Sequence, residues 1–467
     1  MSAVVSMPAV RRVAGRRPAP VRHRDDLLGR VHLAVRMARR AVKAAVNREV
    51  LAGSSGAAAC HPPPLVPAKV VGEAAMLLRM TAPLRGLDET LDVEARLLAV
   101  QLVPQARGAR VRDRLWHDPG RALEHASAHL FLSDAGYPDE AFDDLLAGVV
   151  EGNAVQGSER LPNHLLEGEW LDQIWRGRVD AEPPDAGLLD RTCLGWPLDV
   201  LGCSTLDLYL LTHVVMYASD MGRRAVALPR EPAEILAEVE AALAAALDAD
   251  NLDLAAELLW TWPMLRQPWS PVAAFAYDVL AREQDELGFL PGPDYARGAA
   301  QPAGLDALSH EDLVLRSSYH ATFVMGMLCA AALLPGGGGH ATAEPMASLP
   351  DAMPDQANQA NRANRANRTD QADQADEDDE DDRVAWPRWQ LAFEALDAAA
   401  RSRLAPLCVS VRFRRAAATG DIEALREALA ATLDQHGADG PSARQALRKL
   451  QRAMALARGY CASSMQR

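Results

Sequence analysis

The stretch S-T-L-D-L-Y-L-L-T-H-V-V-M-Y-A-S-D-M-G, Ser204 to Gly222, constrains the fold of this chain more than any other. Ser204 followed three residues later by Asp207 has capping-box spacing, and Gly222 is placed to end the helix. Leu206, Leu208, Leu210, Leu211, Val214, Val215 and Met216 cover most of its circumference, the pattern of a helix enclosed by others. At roughly 100° per residue, His213, Tyr217 and Asp220 fall on one stripe of that helix. A buried polar group without a partner costs about 1–3 kcal/mol, so the stripe faces either a packed hydrogen-bond network or a cavity.

The rest of the body repeats the helical signal. From Arg24, apolar residues recur at helical spacing through Leu27, Leu28, Val31, Val35, Ala38, Val42 and Val46, with arginines between them. This reads as an edge helix with a solvated face, a membrane-surface helix being the other reading. Helical segments follow near 68–80, 88–103, 118–132, 138–151 and 161–176, divided by Gly- and Pro-containing breakers. In the last of these, His164 and Glu167 are spaced as a weak metal-ligand pair, and a surface hydrogen bond is the plainer reading. Beyond the anchor helix come Glu231 to Leu247, Leu252 to Trp262, and a helix opened by Ser270-Pro271. Ser309 to Asp312 has capping-box spacing and starts a helix that carries Arg316, Tyr319 and His320 into an apolar run ending at Leu334. Strand-like alternation is almost absent, and the fold class is all-α.

Composition excludes several functions. The chain of 467 residues is 49% hydrophobic and carries a formal charge of −14, but residues 1–50 hold +9, leaving −23 on the remainder. An acidic body argues against a nucleic-acid groove. The six cysteines are scattered without metal-binding spacing, and Cys203 and Cys329 sit beside apolar runs as core residues. Lys43, Lys69 and Lys449 are the three lysines among 49 basic residues, the bias of a GC-rich genome such as an actinomycete's. Met1 to Pro20 has no apolar core and Ala321 to Leu334 is too short to span a bilayer, so a cytoplasmic protein without a membrane span is expected.

Four regions are expected: a disordered basic head (1–23), an all-helical body (24–335), a low-complexity acidic linker (336–385) and a small helical bundle (386–467). The carboxylate run Asp376 to Asp382 lies within the triplet-repeating linker and is read as solvated chain rather than a metal motif. The final bundle either packs on the body or docks a protein partner.

T-H-V-V-M-Y-A-S-D-M-G (Thr212 to Gly222) and S-Y-H-A-T (Ser318 to Thr322) resemble the signature of an uncharacterised actinomycete all-helical family of unknown function, over roughly residues 24–335. The turn from Gln284 to Gly292 is similar to the Gln…Gly-aromatic turns of α/α-toroid proteins such as terpene cyclases, prenyltransferase β-subunits and lanthionine cyclases. That resemblance implies six helical hairpins closed into a ring. It brings no activity, because the body has neither a D-x-D-D acid motif nor a Cys…Cys-His-Gly zinc set, and 5% aromatic content lines a carbocation cavity poorly.

Two functions follow from these residues. In the first, an enzyme or small-molecule binder, His213, Tyr217, Asp220, Tyr319 and His320 share a barrel interior, with histidine as general base and tyrosine as donor to an oxyanion. His213, Asp220 and His320 are then the candidate ligands of a divalent metal, zinc or iron. In the second, a non-catalytic helical scaffold, the histidines are core hydrogen-bonders and residues 386–467 form a contact surface.

Overall fold

A computed structural model describes residues 24–51, 65–152, 159–179, 182–295, 307–335, 387–420, 422–436 and 440–465, and every regular element among them is helical. The expected disordered head and the low-complexity linker lie outside the described residues. The body begins with α1 (Arg24–Leu51), α2 (Pro67–Thr81), α3 (Glu89–Ala106), α4 (Ala109–His117), α5 (Ala122–His125) and α6 (Ser127–Asp134). It continues through α7 (Glu140–Gly152), α8 (Pro162–Trp175), α9 (Ala186–Leu189), α10 (Thr205–Ala218) and α11 (Pro232–Asp248). It ends with α12 (Leu252–Leu259), α13 (Thr261–Met264), α14 (Pro271–Leu287) and α15 (Ala307–Leu333).

The helix starts follow local chemistry. Ser204 and Asp207 form the reciprocal capping box at α10, Asn251 caps α12 by accepting from the Leu254 N–H, and Ser270 caps α14 ahead of Pro271. Proline also opens α2, α8 and α11, where its missing N–H is not needed. The boundaries differ from the sequence expectation in four places, one being that Leu252 to Trp262 divides into α12 and α13. Helix α10 ends at Ala218, four residues before Gly222. Helix α15 starts at Ala307, which puts Ser309 inside it. The segment expected over 118–132 is broken into turns and α5 and α6, and α4 precedes it.

Six helices contact one another in cyclic order: α2 on α6, α6 on α8, α8 on α10, α10 on α12, α12 on α15, and α15 back on α2. A second set packs against them, with α1 on α2 and α15, α3 on α2 and α6, and α11 and α14 on α12. Helix α1 buries one face, with Val31, Ala34, Val35, Ala38 and Ala41 fully enclosed, and keeps Gly29, Arg36, Arg40 and Lys43 exposed on the other. Gly326 explains how closely α1 and α15 approach, since a Cβ there would stand 2.2 Å from the Ala34 Cβ.

The Gln…Gly-aromatic turn has a mechanical role. Gly288 closes α14 in the left-handed region at φ +79°. The Leu290 N–H then donates to Thr322 Oγ1 at 3.1 Å and the Gly292 N–H to the Ser317 carbonyl at 2.8 Å, clamping α15 on both sides of His320. Gln284 accepts from Arg30 Nη1 at 2.9 Å, tying α14 to α1.

The C-terminal helices α16 (Arg388–Glu394), α17 (Ala398–Arg403), α18 (Ala405–Ala418), α19 (Ile422–His436) and α20 (Pro441–Met465) follow. Helices α16, α18 and α20 pack on α11. Arg415 grips Asp248, Arg388 grips Asp250 and Glu283, and Arg414 donates to the Val200 and Cys203 carbonyls. This face of the bundle is therefore spent on the body itself.

Candidate functional site

The short helix α12 supplies the centre. All eight of its residues are buried, including Asp253 and Glu257, which lie one turn apart on the same face. Two carboxylates at i and i+4 repel each other, so such a pair survives inside a protein only with positive charge or protons beside it. Helices α10 and α15 bring that charge. His213 Nε2 lies 3.6 Å from Glu257 Oε2, and His320 Nε2 lies 3.5 Å from Glu257 Oε1 and 3.8 Å from Asp253 Oδ1. On its other side, His320 Nδ1 is 3.2 Å from Glu73 Oε2 on α2.

The hydroxyls of the same wall hold the carboxylates in place. Thr212 Oγ1 donates to Glu257 Oε2 at 2.7 Å and Tyr209 OH to Asp253 Oδ2 at 2.8 Å. Tyr319 stands beside Glu73, and Tyr217 beside Glu167 on α8. Each of these phenols therefore has a carboxylate as its neighbour in the cluster. Among the described residues, Asp253 Oδ1 has no hydrogen-bond partner, and the Glu73 Oε2 and His320 Nδ1 atoms, although close, are poorly aligned. Leaving such atoms unpaired costs about 1–3 kcal/mol each.

The electrostatics follow from burial opposed by pairing. Burial pushes the Glu257 carboxyl up, but the close imidazoles of His213 and His320 outweigh it and hold it at about 2. Burial likewise raises the Asp253 carboxyl, and it stays raised despite His320 because Glu257 stands beside it. Burial lowers the His320 imidazole, yet Asp253, Glu73 and Glu257 carry it well above its ordinary value. His213 is raised by Glu257 against the same desolvation, and Glu167 is raised by burial and by Glu124. Glu257 and Asp253 are 1% and 7% exposed, whereas the His213 and His320 side chains keep 38% and 30% of their surface accessible. The two imidazoles are thus part-buried while the carboxylates beside them are buried.

Of the residues singled out from sequence, His213 and His320 meet on Glu257, and Tyr217 and Tyr319 flank them through Glu167 and Glu73. Asp220 does not join them, which corrects its place as a metal or catalytic candidate. Its position was extrapolated along a continuous helix, but α10 stops at Ala218 and the chain turns left-handed through Asp220, Met221 and Gly222 at φ +48°, +56° and +85°. The carboxylate then receives Arg79 at 2.7 and 3.0 Å and the Trp170 indole N–H at 2.7 Å, all buried. Asp220 fastens α10 to α2 and α8. His164 is exposed, and Glu167, its sequence partner, turns to Tyr217 instead.

Glu73, Asp253 and Glu257 are the site residues that sequence reading passed over. The signal was present: an acid pair at helical spacing in the otherwise apolar run Leu252 to Leu259 is the same anomaly that drew attention to His213.

Residues 20–330 match a family described as a domain of unknown function, DUF6895. The chain belongs to this family. No curated protein and no solved structure matches it. Glu73, His213, Asp253, Glu257 and His320 all fall inside the DUF6895 span, and helices α16 to α20 lie beyond it.

Proposed function

We propose that the cyclic set of α2, α6, α8, α10, α12 and α15 is the inner wall of an α/α toroid, and that its interior is the active site of an enzyme acting by proton transfer on a small polar molecule. The observation that carries this is the convergence of His213 and His320, from helices about a hundred residues apart in the chain, on the two oxygens of one buried carboxylate, Glu257. In this reading His213 is the proton-transfer group, because it is the more accessible imidazole, and Glu257 fixes its orientation and stabilises its charged form. Glu73 does the same for His320. A wall of Glu73, Glu167, Asp253 and Glu257 favours a polar or cationic substrate over a hydrocarbon.

The test uses full-length protein incubated with a mixed small-molecule extract and followed by untargeted mass spectrometry. Wild type is expected to deplete at least one polar species that His213→Ala and Glu257→Gln leave intact. Identical profiles for all three proteins, with the variants folded, would remove the enzymatic reading.

A further inference from the structure

The centre of the cluster has the composition and spacing of a metal site. We propose that Asp253, Glu257 and His320 bind one divalent transition-metal ion of mixed nitrogen and oxygen preference, zinc or ferrous iron, with Glu73 as the residue that orients His320. The inference deepens the reading of the ring interior as the active site and rests on it for location only.

Three observations support it. The first is distance: one ligand atom from each of Asp253, Glu257 and His320 lies within 4.8 Å of the others. A tetrahedral zinc ion with bonds of about 2.0–2.2 Å needs its ligand atoms roughly 3.3–3.5 Å apart. His320 Nε2 already stands 3.5 Å from Glu257 Oε1 and 3.8 Å from Asp253 Oδ1, so small side-chain rotations complete the triangle.

The second is an unmet valence. Asp253 is more than nine-tenths buried, its Oδ2 accepts from Tyr209, and its Oδ1 faces His320 without a hydrogen-bond partner among the described residues. A cation between these groups would satisfy that oxygen. The third is the arrangement behind the imidazole. Glu73 lies against Nδ1, 3.2 Å away, leaving Nε2 directed at the carboxylates. A carboxylate behind a ligating histidine is how metal sites fix ring orientation and tautomer. One imidazole with two carboxylates suits zinc or iron better than magnesium. His213 contacts the far oxygen of Glu257 and borders the open side of the site, where a bound water or substrate would stand.

The experiment is metal titration of full-length, chelator-stripped protein with zinc and, anaerobically, with ferrous iron, read by elemental analysis after gel filtration and by calorimetry. One equivalent per chain is expected. Asp253→Asn, Glu257→Gln and His320→Gln are each expected to lower affinity at least tenfold, and Glu73→Gln to keep the stoichiometry with affinity weakened roughly 10–100-fold. His164→Ala, at the exposed surface, is expected to bind as wild type. Circular dichroism and thermal melts of the metal-free proteins separate lost binding from lost folding, and cobalt absorption spectra of wild type and Glu73→Gln report the ligand geometry directly. Failure of wild type to bind either metal, or metal retained by all three ligand variants, overturns the site. Substrate depletion that persists in chelator-stripped protein leaves the proton-transfer reading standing and overturns only the metal.

Discussion

At the scale of single residues, the molecule uses its buried charges in two ways. Around Asp220 every valence is matched: Arg79 gives two hydrogen bonds, Trp170 a third, and the Arg79 Nε reaches Asp134 at 2.8 Å. Around Asp253 and Glu257 the matching is incomplete and the imidazoles keep part of their surface accessible. The first arrangement is what a joint between helices requires, and the second is what a site requires. Removing the charge of the first by Asp220→Asn leaves a buried guanidinium short of a partner and is expected to cost about 3–5 kcal/mol in urea unfolding. A loss under about 1 kcal/mol would contradict the structural role. Burial pushes the neighbouring Asp134 carboxyl up, but Arg79 and Arg223 outweigh it and hold it below its ordinary value. Its stabilisation is therefore fully present above the unfolded carboxyl value of about 3.9 and is lost as pH falls through the lower folded value. In denaturant titrations across acid pH, the gap between wild type and Asp134→Asn should stay constant above about pH 5 and close below about pH 4. His213 and His320 were legible from sequence because imidazoles stand out in apolar helices, and Asp220 was misplaced because the helical stripe was extended past Ala218 into a left-handed turn, which aspartate tolerates.

At the scale of elements, the position of His320 depends on how α15 is held. The Gly288 turn fixes it from one side through Thr322 and Ser317, and α1 fixes it from the other across Gly326. Gly326→Ala places a methyl group 2.2 Å from the Ala34 Cβ, a contact that forces the two helices apart. Overpacking of this kind costs typically 1–3 kcal/mol, and Ala34→Gly in the same chain is expected to recover part of it. Equal unfolding free energies for wild type and Gly326→Ala would show that the helices are not so closely packed. Helix α12 has a similar dependence on one residue. Asn251→Ala removes its N-cap and is expected to lose about 0.5–2 kcal/mol, measurable by the same titration. Existence and type of the long helices could be read from period and caps, as at Ser204 and Ser270. The break-up of 118–132 into short turns could not, since Asp118-Pro119-Gly120 announces a stop without saying how the chain resumes.

At the scale of the whole molecule, six helices of the family domain contact one another in cyclic order, and α16, α18 and α20 of the C-terminal helices pack on α11. Arg388, Arg414 and Arg415 bind backbone carbonyls and carboxylates of the body, and Trp389 and Phe413 are buried in the same core. Ending the chain at Pro335 is thus expected to lower the melting temperature and raise binding of an apolar-surface dye. A truncated protein that melts with wild type would show that this packing contributes nothing. The sequence predicts a small helical bundle over 386–467 but leaves open where it packs, because that choice is made by long-range pairs such as Arg415 with Asp248. The same limit explains why Glu257 stands out in sequence only as an acid in an apolar helix: its role of joining the two histidines exists only once α10, α12 and α15 are side by side. That meeting is tested most directly by imidazole nitrogen resonances in wild type and Glu257→Gln. The account predicts that this one substitution shifts both His213 and His320 and leaves His129, which pairs with Asp143, unchanged; a shift of only one of the two, or of neither, would contradict it.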